Sequence, residues 1–291
     1  MDSITFWAWN ICAGGQYPSY DTQDQYGLTP RLNAIAYEIN FFAPDVVAII
    51  DAFGWNKWPP FLFNELFPQY RLEGLYPVGD IDIVDLNYAI LVKHQIPKGV
   101  VTSEIQPLTN YRNVVNLRVY ETRITVAYLE ANKSSKRRSE LKALLQTNAN
   151  LIVADLNTIF IDARKTFFAS PSKIFQHWRV LGLWAVSGLI RGMFVNPRVL
   201  TDYHWIPLVN APTFPLPYFW EIFLKSGWKK RTSWVWRNFL FPAPVLQVDH
   251  CLQKRASNIV PIQFQAEAMY SNGIANVSDH CPIFVRIQDH T

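Results

Sequence analysis

Five polar groups in this 291-residue chain stand where an apolar run begins or ends. Asn10 closes the run 6–9, and Asp51 follows Val46–Ile50. Asp155, with Asn157 two residues on, follows 151–154. Asp249 and His250 interrupt the run 245–252, and Asp279-His280 stand just before Pro282 and the apolar residues after it. Carboxylates, carboxamides and imidazoles are the side chains that bind hard cations and move protons. A polar group just past a buried strand is held at the rim of a sheet, where a rigid scaffold presents its chemistry. Singly, each has a plainer use: Asn10 could cap a turn, Asp155 and Asn157 could make an Asx-turn, and Asp279-His280 could be a local hydrogen-bonded pair. The recurrence on five runs is what argues for a site.

The elements that would position these groups can be read from periodicity. Residues 4–9 read as a strand. Thr29 as N-cap and Pro30 at the first helical position open a helix with Leu32, Ile35, Ala36 and Ile39 on one face, and Pro44 closes it. Val46–Ile50 is a fully apolar strand. Residues 88–92, 114–120 and 123–129 predict further strands. A second helix spans 137–146 with Leu141, Leu144 and Leu145 inward, then a buried strand covers 151–154. Strand patterns return at 245–252 and 282–287. Between them, residues 158–245 carry prolines that include 197, 207, 212, 215, 217, 242 and 244, and the stretch 205–219 reads as extended loop. Strands alternating with helices predict an α/β or α+β fold of layered sheets.

Composition sets the bounds. Hydrophobic residues make up 49% and charged residues 17%, against about 25% charged in ordinary domains. That excludes a disordered chain or a coiled coil. Three cysteines (Cys12, Cys251, Cys281) with no C-x-x-C spacing make no disulfide framework, and buried thiols are expected in a reducing, cytoplasmic compartment. The first ten residues lack the basic region of a signal peptide. The apolar run 180–190 is too short to span a bilayer, so no transmembrane helix is expected. Net charge is +4, but it is unevenly placed: residues 158–247 hold 11 Lys/Arg against 3 acids, together with 7 of the 11 tryptophans. Cations among aromatics suit nucleic acid or lipid headgroups. A basic aromatic layer packed on the core would look the same.

The motifs, taken in order, resemble the endonuclease/exonuclease/phosphatase superfamily. Its opening strand ending W-N is here Phe6-Trp7-Ala8-Trp9-Asn10. Its P-D-V-V-x-x-Q-E is Pro44-Asp45-Val46-Val47-Ala48-Ile49-Ile50-Asp51. Its G-D-F-N is Ala154-Asp155-Leu156-Asn157, and its R-I-D-[YH] is Gln247-Val248-Asp249-His250. Its S-D-H-x-P is Ser278-Asp279-His280-Cys281-Pro282. Tyr88-Ala89-Ile90-Leu91 matches the A-I-L strand, and Arg112-Asn113 the R-N before a strand. The likeness extends to bacterial members with an R-I-D-H strand, which Thr232-Ser233-Trp234 and residues 241–250 echo.

The resemblance implies one domain over residues 1–291: a four-layer α/β sandwich of two mixed sheets flanked by helices, with a basic, aromatic insertion at about 158–245. It also implies metal-dependent phosphodiester hydrolysis. Asn10, Asp51 and Asp279 would hold Mg²⁺, with Mn²⁺ as the alternative. Asp155, beside Asn157, would activate the attacking water. His280 would hydrogen-bond a phosphate oxygen, with Asp249 fixing its tautomer. Arg112 would approach the phosphate or its supporting network, and Tyr128, Arg112 and Trp234 would contact substrate. Two departures stand out. Asp51 occupies the usual Glu position, which withdraws the carboxylate by about 1.5 Å, one C–C bond. Tyr128 stands where phosphatase and sphingomyelinase branches have His and abasic-site endonucleases have a phosphate-contacting Tyr. A rim or core aromatic remains the other reading of Tyr128. DNA or RNA is the expected substrate. The alternatives are a phospholipid headgroup or small phosphate ester hydrolysed at a membrane surface through the Trp-rich insertion, or a binding protein catalytically weakened at Asp51.

Overall fold

The computed structural model describes residues 3–11, 30–79, 85–130, 133–157, 159–160, 194–195, 199–206, 249–255 and 282–288. In chain order the elements are β1 (Ser3–Asn10), α1 (Pro30–Phe42), β2 (Val46–Ile50), α2 (Pro60–Leu66), β3 (Tyr70–Pro77), β4 (Asn87–Lys93), β5 (Val101–Thr109), β6 (Arg112–Val119) and β7 (Thr122–Tyr128). There follow α3 (Ser134–Leu145), β8 (Leu151–Asp155), β9 (Ile159–Phe160), β10 (Phe194–Val195), β11 (Tyr203–Ile206), β12 (Asp249–Lys254) and β13 (Ile283–Gln288).

Two sheets carry the architecture. One has five strands in the order β13-β1-β2-β4-β3; the other has six, β11-β12-β8-β7-β6-β5. Each contains a single parallel pair, β1 with β2 and β7 with β8, and the remaining pairs are antiparallel. Each parallel pair is joined by a crossover helix, α1 in the first sheet and α3 in the second, as parallel pairing requires.

Strand alternation sorts the side chains into three cores, and these define four layers. Phe6, Ala8, Val46, Ala48, Ile50, Tyr88 and Ile90 from the first sheet meet Val115, Leu117, Ile124, Val126, Leu151 and Val153 from the second. The alternate residues Trp7, Trp9, Val47, Ile49, Ala89 and Leu91 face outward against Leu32, Ile35 and Ile39 of α1 and Leu62 and Phe63 of α2. On the opposite outer face, Ala127, Ile152, Ala154 and Leu252 pack under Leu141 and Leu144 of α3. A sheet covered on both faces needs apolar residues at every position, which is why β2, β4 and β8 read as continuous hydrophobic runs. The architecture is the four-layer α/β sandwich with two mixed sheets.

The structure adds elements that the pattern did not predict. β3, β5 and α2 lie in stretches without a clear period, and β11 begins just ahead of the stretch read as loop and includes its first two residues. Two predicted elements start earlier than their pattern: β6 begins at Arg112 and α3 at Ser134. Thr29, the expected N-cap of α1, and most of 158–248 lie outside the described residues. No helix among the described residues is long and apolar enough to cross a membrane.

Burial leaves a measurable mark on pH dependence. Cys251 is buried in the central core, and burial raises its thiol pKa well above the ordinary 9.0. Burial likewise raises the phenols of Tyr70 and Tyr88 above their ordinary 10.0. The folded chain keeps these protons where the unfolded chain loses them, so stability is full below about pH 9 and falls as pH rises beyond it. Urea midpoints measured from about pH 7 to 11 should show that decline. Peptide mapping should find Cys251 unlabelled by thiol reagents until the protein unfolds.

Candidate functional site

The register brings the polar strand ends to one rim. In the first sheet Asn10, the last residue of β1, pairs with Ile50, so Asp51 is the next residue beyond that edge. In the second, Asp155 at the end of β8 lies between Tyr128 at the end of β7 and Asp249 at the start of β12. Antiparallel pairing of Ile283 with Ala8 starts β13 at the same end of β1.

A buried side-chain hydrogen bond joins the two rims. Asn10 Nδ2 donates to Asp155 Oδ2 at 2.8 Å, between residues 145 apart in sequence. Both are buried, Asn10 4% and Asp155 1% exposed. A carboxylate is removed from water only when its lone pairs are met. Here Asp155 Oδ1 also accepts from the Asn157 N–H at 2.9 Å. The local Asx-turn reading of Asp155 and Asn157 is therefore realised, and it coexists with a contact between sheets that no local turn explains.

Two of the candidates occupy the left-handed region, Asp51 with φ 64° and Asn157 with φ 47°. Non-glycine residues persist there when their surroundings over-determine them. Around Asp51 the chain is fixed by Ala52 N–H to the Asn87 carbonyl (2.8 Å) and Phe53 N–H to the Asp51 carbonyl (2.9 Å). Asn157 is fixed by its own side chain, whose Nδ2 donates to the Leu129 carbonyl at 3.0 Å. Both turns redirect the chain at the rim itself.

Beneath the rim lies a buried ionic network. Arg112, 2% exposed, donates from Nε to Glu140 Oε1 at 3.2 Å and sits 3.6 Å from Glu130 Oε2. Its guanidinium stands 5.3 Å over the Tyr128 ring. The Tyr128 N–H donates to the Tyr88 hydroxyl (2.9 Å), which donates onward to the Asn113 carbonyl (3.0 Å). Tyr128 is half-buried against the central core, so its ring is both a core aromatic and a rim group. Arg112 thus belongs to the network supporting the rim.

Sequence reasoning missed Glu140, Arg137, Glu130 and Tyr88. The signal was present on α3. Arg137, Glu140, Leu141 and Leu144 follow the i, i+3, i+4, i+7 spacing of a buried face, and two of the four are charged. Charges on an inward stripe require partners, and the first turn's position, set by the earlier start of α3, makes both residues interior.

Asn10 and Asp51 offer hard oxygen donors at adjacent strand ends, the type that Mg²⁺ takes. Asn10 Nδ2 serves Asp155, and the carboxamide oxygen of the same side chain is a hard donor of the kind a cation takes. Among the described residues no three His, Cys, Asp or Glu side chains could hold a metal together. Asp279, His280 and Trp234 lie outside the described residues, and of Asp249 only the backbone is described. His250 is buried in β12, as a packing residue would be, and His94 and His204 are exposed.

No family model matches the chain, and no curated protein matches it. Among solved structures it is similar to an endonuclease/exonuclease/phosphatase from Beutenbergia cavernae DSM 12333, at 15% identity over 99% of this chain and 72% of that one, with TM-score 0.54. It is similar to D. rerio TDP2 complexed with single-strand DNA product, at 14% identity over 99% of each chain and TM-score 0.50. A third is an endonuclease/exonuclease/phosphatase family protein from Bacteroides thetaiotaomicron, at 11% identity over 98% of this chain and 97% of that one, TM-score 0.50. At such identities the likeness is one of fold.

Proposed function

On the endonuclease/exonuclease/phosphatase fold that this chain shares, we propose that it is a divalent-metal-dependent phosphodiester hydrolase acting on DNA or RNA by in-line attack of an activated water. The observation that carries this reading is the Asn10–Asp155 hydrogen bond, which joins an oxygen-donor amide and a buried carboxylate from two different sheets at one rim. The single-strand DNA product held by D. rerio TDP2 supports nucleic acid as the substrate class.

Asn10 and Asp51, with Asp279, would hold Mg²⁺ or Mn²⁺. Bound there, the cation would neutralise charge on the phosphate and its leaving oxygen. Asp155 accepts a proton from the attacking water, and the hydrogen bonds from Asn10 Nδ2 and the Asn157 N–H help to fix the direction in which its oxygens face. His280 hydrogen-bonds a phosphate oxygen, with Asp249, opposite Asp155 in the ladder, selecting its tautomer.

The test is hydrolysis of single- and double-stranded DNA and RNA with Mg²⁺ or Mn²⁺, alongside vesicles of sphingomyelin or phosphatidylinositol. Cleavage of nucleic acid that stops with EDTA and with His280→Ala is the expected result. Hydrolysis confined to lipid, or cleavage indifferent to EDTA, would overturn the assignment.

Asp51 separates stability from activity. Asp51→Gly removes a carboxylate from a position at φ 64°, and glycine relieves the backbone there by about 1 kcal/mol. The variant is expected to melt at or above the wild-type temperature while binding Mg²⁺ more weakly by calorimetry. Unchanged Mg²⁺ affinity would remove Asp51 from the ligand set.

A further inference from the structure

The backbone of Leu129 and Glu130, just past β7, is held in an unusual way. The Leu129 N–H donates to the Asp155 carbonyl at 2.9 Å, and the Leu129 carbonyl accepts from the Asn157 side chain at 3.0 Å. The Glu130 N–H donates to Glu140 Oε2 at 2.7 Å, and the Glu130 carbonyl accepts from Arg137 Nη1 at 2.9 Å. Three of these four bonds use side chains, two of them from α3. A lining helix needs only apolar residues to cover a sheet, and Leu141 and Leu144 already do so.

Glu140 is fully buried, and its two oxygens act on either side of Tyr128. Oε2 fixes the backbone two residues beyond it, and Oε1 holds Arg112, whose guanidinium covers the Tyr128 ring. Any shift of residues 129–130 passes directly to Asp155 and Asn157, because the two segments brace each other in both directions.

We propose that Glu140 and Arg137, on the inward face of α3, are positioning residues: they set the Leu129–Glu130 backbone and through it the relative placement of Tyr128, Asp155 and Asn157. As a statement about catalysis this rests on the hydrolase reading above. As a statement about the rim it stands on geometry alone, so the test has two arms.

The first arm measures amide hydrogen exchange in the full chain without substrate, for Glu140→Leu and Arg137→Met. Exchange should quicken at Glu130 and also at Leu129 and Asn157, whose N–H groups bond to Asp155. Acceleration restricted to Glu130, or none, overturns the proposal. Arg137→Met keeps the test open should Glu140→Leu fail to fold, since it leaves the Arg112–Glu140 pair intact. The second arm measures hydrolysis well below the melting temperature. For Arg137→Met kcat should fall about 10- to 100-fold with KM within about threefold, as misplacement of a catalytic constellation does. Glu140→Gln keeps a carbonyl oxygen for the Glu130 N–H and should restore most of kcat relative to Glu140→Leu. Wild-type kcat in Arg137→Met, or equal loss in the Gln and Leu variants, overturns it. If the wild type hydrolyses no phosphodiester, the function reading fails, and the exchange arm alone decides the positioning role.

Discussion

Asp155→Asn is expected to leave the fold standing and to lower kcat for phosphodiester hydrolysis by about 10²- to 10⁴-fold, the range a positioned general base contributes. Asparagine is the informative replacement. Alanine would strand the buried Asn10 Nδ2 and the Asn157 N–H, which costs about 1–3 kcal/mol for each unmet group and confounds activity with stability. An amide at position 155 still offers one oxygen. If that oxygen keeps the Asn157 N–H, the new NH₂ group meets Asn10 Nδ2, donor against donor, in place of the 2.8 Å bond. The clash disappears when the Asn10 carboxamide turns over and presents its oxygen to position 155. That oxygen is then lost to the cation, so Mg²⁺ affinity falls together with kcat. Single-turnover hydrolysis and calorimetric Mg²⁺ titration read the two effects separately. A rate within about threefold of wild type would exclude Asp155 as the base. Unchanged Mg²⁺ affinity would exclude the turned amide.

Arg112→Ala should destabilise the fold by about 3–5 kcal/mol, as breaking a buried ion pair does when one charge is left behind. Glu140 is wholly inaccessible to water, so its carboxylate cannot recover by solvation what it loses from the Arg112 Nε at 3.2 Å. The cation over the Tyr128 ring goes as well. Set against a typical net stability of about 5–15 kcal/mol, this is a large fraction of the whole. Arg118, paired with Glu121 at 2.7 Å and with both side chains largely exposed, provides the contrast. Its alanine variant should change stability by less than about 1 kcal/mol, because water solvates each partner alone. Urea denaturation of both variants tests the difference. Similar midpoints would mean that Arg112 is not the cation on which Glu140 depends. Glu140→Gln in the Arg112→Ala background should then recover part of the loss, since it removes the stranded charge.

How much of this was legible beforehand follows a physical line. Strands covered on both faces were read correctly, β1, β2, β4, β7 and β8 within a residue or two, because burial on two sides forces apolar residues at most positions, and at every position of β2. Three of the strands that escaped, β3, β5 and β11, lie at sheet edges. An edge strand pairs on one side only and buries less; β5 has five exposed positions in nine and carries Pro107, a residue edges tolerate. Its pairing is dictated by β6, not by its own pattern. β13 is also an edge, but it covers the central core and kept its apolar alternation.

The sequence by itself determined which residue types stand at the strand ends and in what order, since a polar residue closing a buried run is a local fact. Periodicity determined a fold of layered sheets, α/β or α+β, and the family resemblance narrowed it to the four-layer α/β sandwich. Only the tertiary structure decided that Asn10 reaches Asp155 across 145 residues, that Asp51 and Asn157 turn through the left-handed region, and that Arg137 and Glu140 reach from α3 to the backbone past β7. Each of these depends on how two sheets and a helix are placed against one another, and periodicity records which face of an element is buried but not which neighbour that face will meet.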